Sequence, residues 1–358
     1  MVPMANKKAK MAFLGLFLLF GFSLLSASEK NDSFVLGDLK AMAGESVSGY
    51  LSVPEKDGLS CSLPLTLING SRKGKVLALV AGLHAYEYPP ILALYRLKYM
   101  IDPKSLSGTL ILVHIANLPG FQRRTIYYNP HDWKNLNRVF PGDPQGSLSQ
   151  RIAHLLKKEV IDRCDYLIDL HCGDGNEALI PYTYWMIGGN KEIDETSQRM
   201  ALAFGLKHII IDPTRPKNRT DSKYLGNTAI LDSKPAITTE SGYLGKTDEE
   251  FIAANIRGIL NAMKLFKMIE GEAEFVSDPV YIDKYEVIYS NHDGLFYPQA
   301  EMGHYVQKGQ KVGYITDYLG NVKEEVRSPF SGILLYIINT PPANKGEPLF
   351  EVGRIKEQ

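Results

Sequence analysis

Cysteine is scarce in this chain: Cys61, Cys164 and Cys172 are the only three in 358 residues. So odd and sparse a set supplies no disulfide framework. An excess of charge of one sign is also missing. Forty Lys and Arg balance 40 Asp and Glu, giving a formal net charge of +0, so nothing favours a nucleic-acid partner electrostatically. The longest apolar run, "MAFLGLFLLFGFSLL", has about 15 residues, short of the roughly 20 that span a bilayer. No cysteine follows it closely, which argues against a bacterial lipoprotein anchor. Lys7, Lys8 and Lys10 precede that run, and "SAS" at Ser26 to Ser28 ends it. A basic region, an apolar stretch and small residues in that order predict a signal peptide over residues 1–28 and export to the periplasm or beyond. No stable membrane span is expected after cleavage.

The whole chain is 44% hydrophobic, enough for one large domain or two smaller ones. "PLTLING", "KVLALVAGL", "GTLILVHIAN", "DYLIDLH", "KHIIID" and "PAITTE" are short apolar runs bounded by turn residues, the pattern of buried strands. Between them lie amphipathic stretches: Pro90 to Met100, "SLSQRIAHLLKKEVIDR" with Ser147 or Ser149 as cap, residues 191–205, and "TDEEFIAANIRGILNAMKLFKMI". Strands alternating with helices predict an α/β domain over 29–275 with a mixed open sheet flanked by helices. Residues 118–146 form a long polar stretch rich in aromatics, the composition of a functional loop. From 276 to 358 the texture changes to short Val, Ile and Tyr runs between glycine turns. "YVQKGQKVGYI" and "PANKGEPLFEV" echo one another across "VRSPFSGILLYI", which predicts a small β-barrel with approximate two-fold symmetry. These turns resemble the biotinyl/lipoyl-like barrel-sandwich. No lysine matches the carrier position of that fold, so the resemblance implies shape without carrier chemistry.

Three of the predicted strands run into polar groups: His84 with Glu87, then His171, then Glu240. Ligands of open α/β sheets collect beyond the carboxyl ends of the strands, so these four side chains are candidates for one site. Two imidazoles and a carboxylate form a catalytic zinc set with a fourth position for water, whose pKa falls to about 7. Glu240 is then available as general base. Each piece alone has a plainer reading, as a surface pair, a satisfied strand-end histidine or a helix-entry carboxylate, and joint placement is what favours the metal. Cys172 beside His171 is open as a soft ligand or a core thiol; neighbours on a strand face opposite ways, which favours the core. In "NLNRVFPG", Arg138 offers a planar fork for a carboxylate and Asn137 an amide beside it.

The order "GLHAYE", "NLNRVFPG", "DLHCG", "ITTESG" resembles the succinylglutamate desuccinylase/aspartoacylase family, zinc hydrolases related to the carboxypeptidase A group. The resemblance covers residues 45 to 270 and extends to the C-terminal β domain. It implies one Zn2+ per chain on His84, Glu87 and His171, with Glu240 as general base. It further implies Asn137 and Arg138 at a substrate carboxylate. The family's carbonyl-polarising arginine falls on Ile126 here. Arg124 or Arg123 from a shifted loop, or the loop carrying Arg215 and Arg219, are the alternatives. The family's usual aspartate falls on Asn135, and Asn135 or Asp132 is left to orient a histidine. The expectation is a zinc hydrolase cleaving the amide of an N-acyl amino acid or a related small carboxylate, with zinc-bound water as nucleophile. A carboxypeptidase-like enzyme acting on peptides or cell-wall stems, and a non-catalytic binding protein, are the alternatives. Self-association into a homo-oligomer is compatible with each.

Overall fold

The computed structural model describes residue 1 and residues 29–357; the expected signal peptide lies almost wholly outside the described residues. The backbone of the fold is a 13-stranded mixed sheet. Its centre is a run of parallel neighbours. The strand Arg72–Ala81 lies between Ser107–Val113 and Tyr166–His171, and the latter pairs in turn with Ala236–Glu240. Next comes Tyr182–Met186, antiparallel to Ala236–Glu240, and then His208–Asp212. The strands Glu45–Lys56 and Leu59–Asn69 close the other edge as an antiparallel hairpin.

Alternation along the central strands explains why they are buried on both faces. Leu77, Leu79 and Ala81 join Ile91, Leu94 and Leu97 of the helix Tyr88–Met100 and Ile256 and Ile259 of the helix Glu249–Leu265. Ala78 and Val80 face the opposite way, toward Ile152 and Leu156 of the helix Leu148–Glu159 and Ala229 of Leu225–Leu231. Burying such a side chain contributes about 1.5–3 kcal/mol, so helices on both sides fix the register. The helix Leu148–Glu159 begins at Ser147, whose N–H donates to the Gln150 side chain, a capping box. Pro89 and Pro90 occupy the first turn of Tyr88–Met100, where a missing N–H loses no hydrogen bond.

The C-terminal strands continue this same sheet. Val280–Tyr289 pairs parallel with His208–Asp212, Pro348–Ile355 antiparallel with Val280–Tyr289, and Gly332–Ile338 antiparallel with Pro348–Ile355. A separate four-stranded antiparallel sheet, containing Gly294–Pro298, Lys311–Thr316, Val322–Arg327 and Pro342–Ala343, shares a core of Phe296, Val312, Ile315, Leu334, Ile337 and Phe350 with them. Here too the strand period matters: Phe350 and Val352 face that core, so Glu351 between them faces the other side. No helix among the described residues is long and apolar enough to cross a membrane.

Candidate metal centre and substrate cavity

Parallel pairing brings three strand ends to one rim. Ala81 lies opposite Leu170, and Glu240 opposite His171, so the turn after Ala81 delivers His84 and Glu87 next to His171. The segment after Glu240 must pass close by. Gly242 has φ +119°, and a Cβ there would lie 2.7 Å from the Pro89 ring and 3.2 Å from Cys172 Cβ. A side chain at 242 is therefore excluded by both conformation and space.

His84, Glu87 and His171 each offer a ligand atom, and these atoms all lie within 4.8 Å of one another. Glu87 sits between the two rings: His84 Nδ1 is 2.8 Å from its Oε1, and His171 Nδ1 is 2.8 Å from its Oε2. The Cys172 N–H also donates to Glu87 Oε2 at 3.3 Å, while the Cys172 thiol turns to the Gly173 carbonyl and stays outside the cluster. The outer nitrogens have partners as well. His84 Nε2 lies 3.1 Å from Asn135 Oδ1, an oxygen that also accepts the Asn137 N–H at 2.9 Å. Asn135 therefore presents an acceptor, and His84 Nε2 carries the hydrogen. The Nδ1 lone pair of that tautomer faces a carboxylate oxygen at 2.8 Å, a contact that a proton or a metal cation between them makes favourable. A metal ion supplies a positive charge and takes nitrogen and oxygen donors together, so the three residues fit such a group.

Buried carboxylates dominate the field around His171. Burial opposes protonation of this imidazole, yet Asp169, with Oδ1 3.0 Å from Nε2, and Glu87 push its pKa well above the ordinary value. Glu240 is raised too, but here first by burial and then by the Glu87 charge. Its Oε2 is buried and has no hydrogen-bond partner among the described residues.

The cluster opens into a cavity of about 450 Å³, within the range of small-molecule sites. Arg138 lines it, with its guanidinium carbon 4.7 Å from the centre of the Tyr224 ring and Nη1 donating to the Asn137 carbonyl. Arg215 stacks on Tyr224 and Tyr184 at 4.2 and 4.8 Å, and its Nε pairs with Asp212. That leaves both Nη groups of Arg215 without a protein acceptor among the described residues. Tyr127 and Glu177 complete the wall near His84, joined by a 2.9 Å hydrogen bond from the Tyr127 hydroxyl.

Of the sequence-predicted residues, His84, Glu87, His171, Glu240, Asn137 and Arg138 all line this cavity. Asn137 has one end of its amide engaged by the protein. Oδ1 accepts the Leu225 N–H at 2.9 Å, which leaves Nδ2, a donor 3.2 Å from His171 Nε2, facing the cavity. Arg124 is exposed and does not line this cavity; it is the left-handed C-cap (φ +55°) of the short helix Leu118–Arg123. Ile126 and Arg123 do not line the cavity, and Arg219 lies beside Asp232. Arg215 is thus the arginine from the open alternatives that reaches the site. Between Asn135 and Asp132, Asn135 meets the histidine; Asp132 caps Ser149 and Lys134 N–H groups. Sequence reasoning missed Tyr224, Glu177 and Glu351. Glu351 had a signal, a lone charge inside the apolar run "PLFEV".

An open mixed α/β sheet with a His–Glu–His cluster on its carboxyl rim defines an α/β protein with a candidate metal centre. Residues 73–266 match the model of the succinylglutamate desuccinylase/aspartoacylase catalytic domain, and the chain belongs to this family. It is accordingly an enzyme, of a hydrolase class acting on amide bonds. The chain is similar to an N-alpha-acetyl-L-2,4-diaminobutyric acid deacetylase of Halomonas elongata, 28% identical over 322 residues, which are 86% of this chain and 92% of the relative. Its fold is shared with a succinylglutamate desuccinylase/aspartoacylase from Rhodobacter sphaeroides. That structure has a TM-score of 0.76 at 23% identity, covering 92% of this chain and 97% of the other. The product-bound ectoine utilization protein EutE (DoeB) from Ruegeria pomeroyi also aligns with a TM-score of 0.76. Its identity is 24%, covering 90% of this chain and 96% of that one.

Proposed function

We propose that this protein is an exported, zinc-dependent deacylase that hydrolyses the amide bond of an N-acyl amino acid. The observation that carries this is the convergence of His84, Glu87, His171 and Glu240 at the end of a cavity that also holds two arginines. The relative from Halomonas elongata, named for removal of an acetyl group from an amino acid, supports the same reaction class. Held by His84, Glu87 and His171, zinc would polarise a carbonyl and lower the pKa of a water to about 7.

The chain's own residues supply the rest. Asn135 fixes the His84 ring through Nε2, and the Asp169 carboxylate faces Nε2 of His171 at 3.0 Å, which keeps both Nδ1 atoms directed inward. Arg138 and Arg215 bind the carboxylate of the amino acid by charge-assisted hydrogen bonds. Glu240 has a free carboxylate oxygen at the rim. It takes the proton of the attacking water and hands it to the departing amide nitrogen. With Tyr224 as a platform for both guanidinium groups, the carboxylate site is rigid before substrate arrives.

The test is Glu240→Gln in the zinc-loaded enzyme, assayed on a panel of N-acetyl amino acids and short peptides. Zinc content should stay at one per chain while turnover falls by at least about 10²-fold, the lower end of general-base contributions. Near-normal turnover would remove Glu240 from the mechanism. A preference for peptides over N-acetyl amino acids would move the enzyme to the carboxypeptidase-like alternative.

A further inference from the structure

One group in the cavity has no part in the reaction described above. Glu351, on the strand Pro348–Ile355, is 1% exposed and lines the same cavity as the metal cluster. Its cross-strand neighbours Val287 and Tyr336 line the cavity too. No lysine, arginine or histidine among the described residues forms an ion pair with it. Its polar contacts are the hydroxyl of Tyr182 at 3.4 Å and that of Tyr184 at 3.5 Å. A hydroxyl bound firmly to a carboxylate lies nearer, at about 2.5–2.7 Å. Arg215, whose charge is felt at Glu351, directs its Nε to Asp212 instead.

A buried carboxylate without a cation is unfavourable in a folded chain, and burial pushes this one up to about 8. The hydroxyls of Tyr182 and Tyr184 and its cross-strand neighbour Tyr336 lie beside it, and Tyr285 and Tyr289 line the same cavity. An unpaired carboxylate at this end of the cavity suits a positive group that arrives with a ligand. Arg138 and Arg215 about Tyr224 suit a negative one, and Arg215, which also stacks on Tyr184, adjoins the Glu351 end.

We propose that Glu351 is a specificity-determining residue that receives the side-chain ammonium of the substrate, so that the enzyme selects N-acyl derivatives of diamino acids. This rests on the deacylase reading of the same site. The arginines hold the α-carboxylate, the acyl amide lies at the metal cluster, and the free amine ends at Glu351. A proton shared between carboxylate and amine then makes the pair ionic and removes the unfavourable state of the empty cavity. Acidic and plain aliphatic acyl amino acids leave Glu351 unpartnered and are poor substrates.

The experiment uses the full zinc-loaded chain and pairs of ligands that differ only in an ammonium against a methyl: 2,4-diaminobutyrate against norvaline, and ornithine against norleucine. Calorimetry measures binding of the free amino acids, and kcat/KM is measured on their Nα-acetyl forms. Wild type should favour the cationic member by about 30-fold or more, as expected for a desolvated charge pair. Glu351→Gln should cut that ratio by about tenfold or more. Equal binding of the two members by wild type, or binding of neither, overturns the proposal without reference to any variant. An unchanged ratio in a folded Glu351→Gln protein overturns it as well. Selective binding of the diamino acids with no hydrolysis of any acetyl derivative would instead refute the deacylase reading and leave the role of Glu351 standing.

Discussion

Glu351 carries a consequence for stability that is independent of substrate. Its carboxyl is pushed up to about 8 from an ordinary 4.5 by burial. Below about pH 4.5 the group is protonated in both folded and unfolded chains and contributes no difference. Between about 4.5 and 8 the unfolded chain releases a proton that the folded state retains, so wild-type stability declines across that interval. Above 8 the decline is complete. At 1.36 kcal/mol per pH unit, an interval of about 3.5 units amounts to about 5 kcal/mol, as an order of magnitude. Replacing Glu351 by glutamine removes the ionisation and preserves the shape. The ligand-free Glu351→Gln protein should therefore match wild type near pH 4.5 and exceed it near pH 8.5. With an unfolding entropy of about 2.1 cal/mol/K per residue, the gain in Tm for a chain of this size is several degrees. Thermal melts of both proteins at the two pH values, at equal metal loading, measure it. A Tm difference that does not grow with pH would refute the reasoning, and so would a variant less stable than wild type at pH 8.5. A stabilising substitution at a group reserved for ligand is the usual trade between stability and function.

Two further outcomes follow from the geometry. Asn135→Ala removes the acceptor of His84 Nε2 and should weaken zinc binding by about 10–100-fold, measured by competition with a chromogenic chelator; unchanged affinity would mean that Asn135 does not orient the ring. Leu79→Ala opens a cavity in the fully buried centre of the strand Arg72–Ala81 and should lower unfolding free energy by about 2–5 kcal/mol; a loss below about 1 kcal/mol in urea titration would contradict the packing described.

The strands that carry chemistry were legible because they are buried on both faces and end abruptly in polar residues. Apolar runs such as Leu77 to Ala81 and Leu110 to Val113 admit few other readings, and the helices between them show the period of an apolar face. The strand Tyr182–Met186 was not legible. Its five residues, "YTYWM", lack alternation, and its antiparallel place beside Ala236–Glu240 depends on neighbours distant in sequence. The hairpin strand Glu45–Lys56 alternates inward and outward from Val47 to Val53, but Gly49 on the inward face and Tyr50 on the outward one blur that pattern in the sequence. Spacing along a loop does not determine direction: Arg124 is exposed and does not line the cavity, whereas Arg215, from 91 residues further on, does.

Most strands and helices, and the polar side chains that stand where a strand ends, can be read along the chain. Those follow from periodicity and from burial, properties of neighbouring residues. That the Asn137 amide oxygen is taken by Leu225, that Arg215 joins Arg138 on Tyr224, and that Glu351 faces the same cavity from the far end of the chain follows from the folded arrangement alone. Such contacts join residues separated by tens to hundreds of positions, and pairing of strands across a sheet, which no short stretch of sequence encodes, is what brings them together.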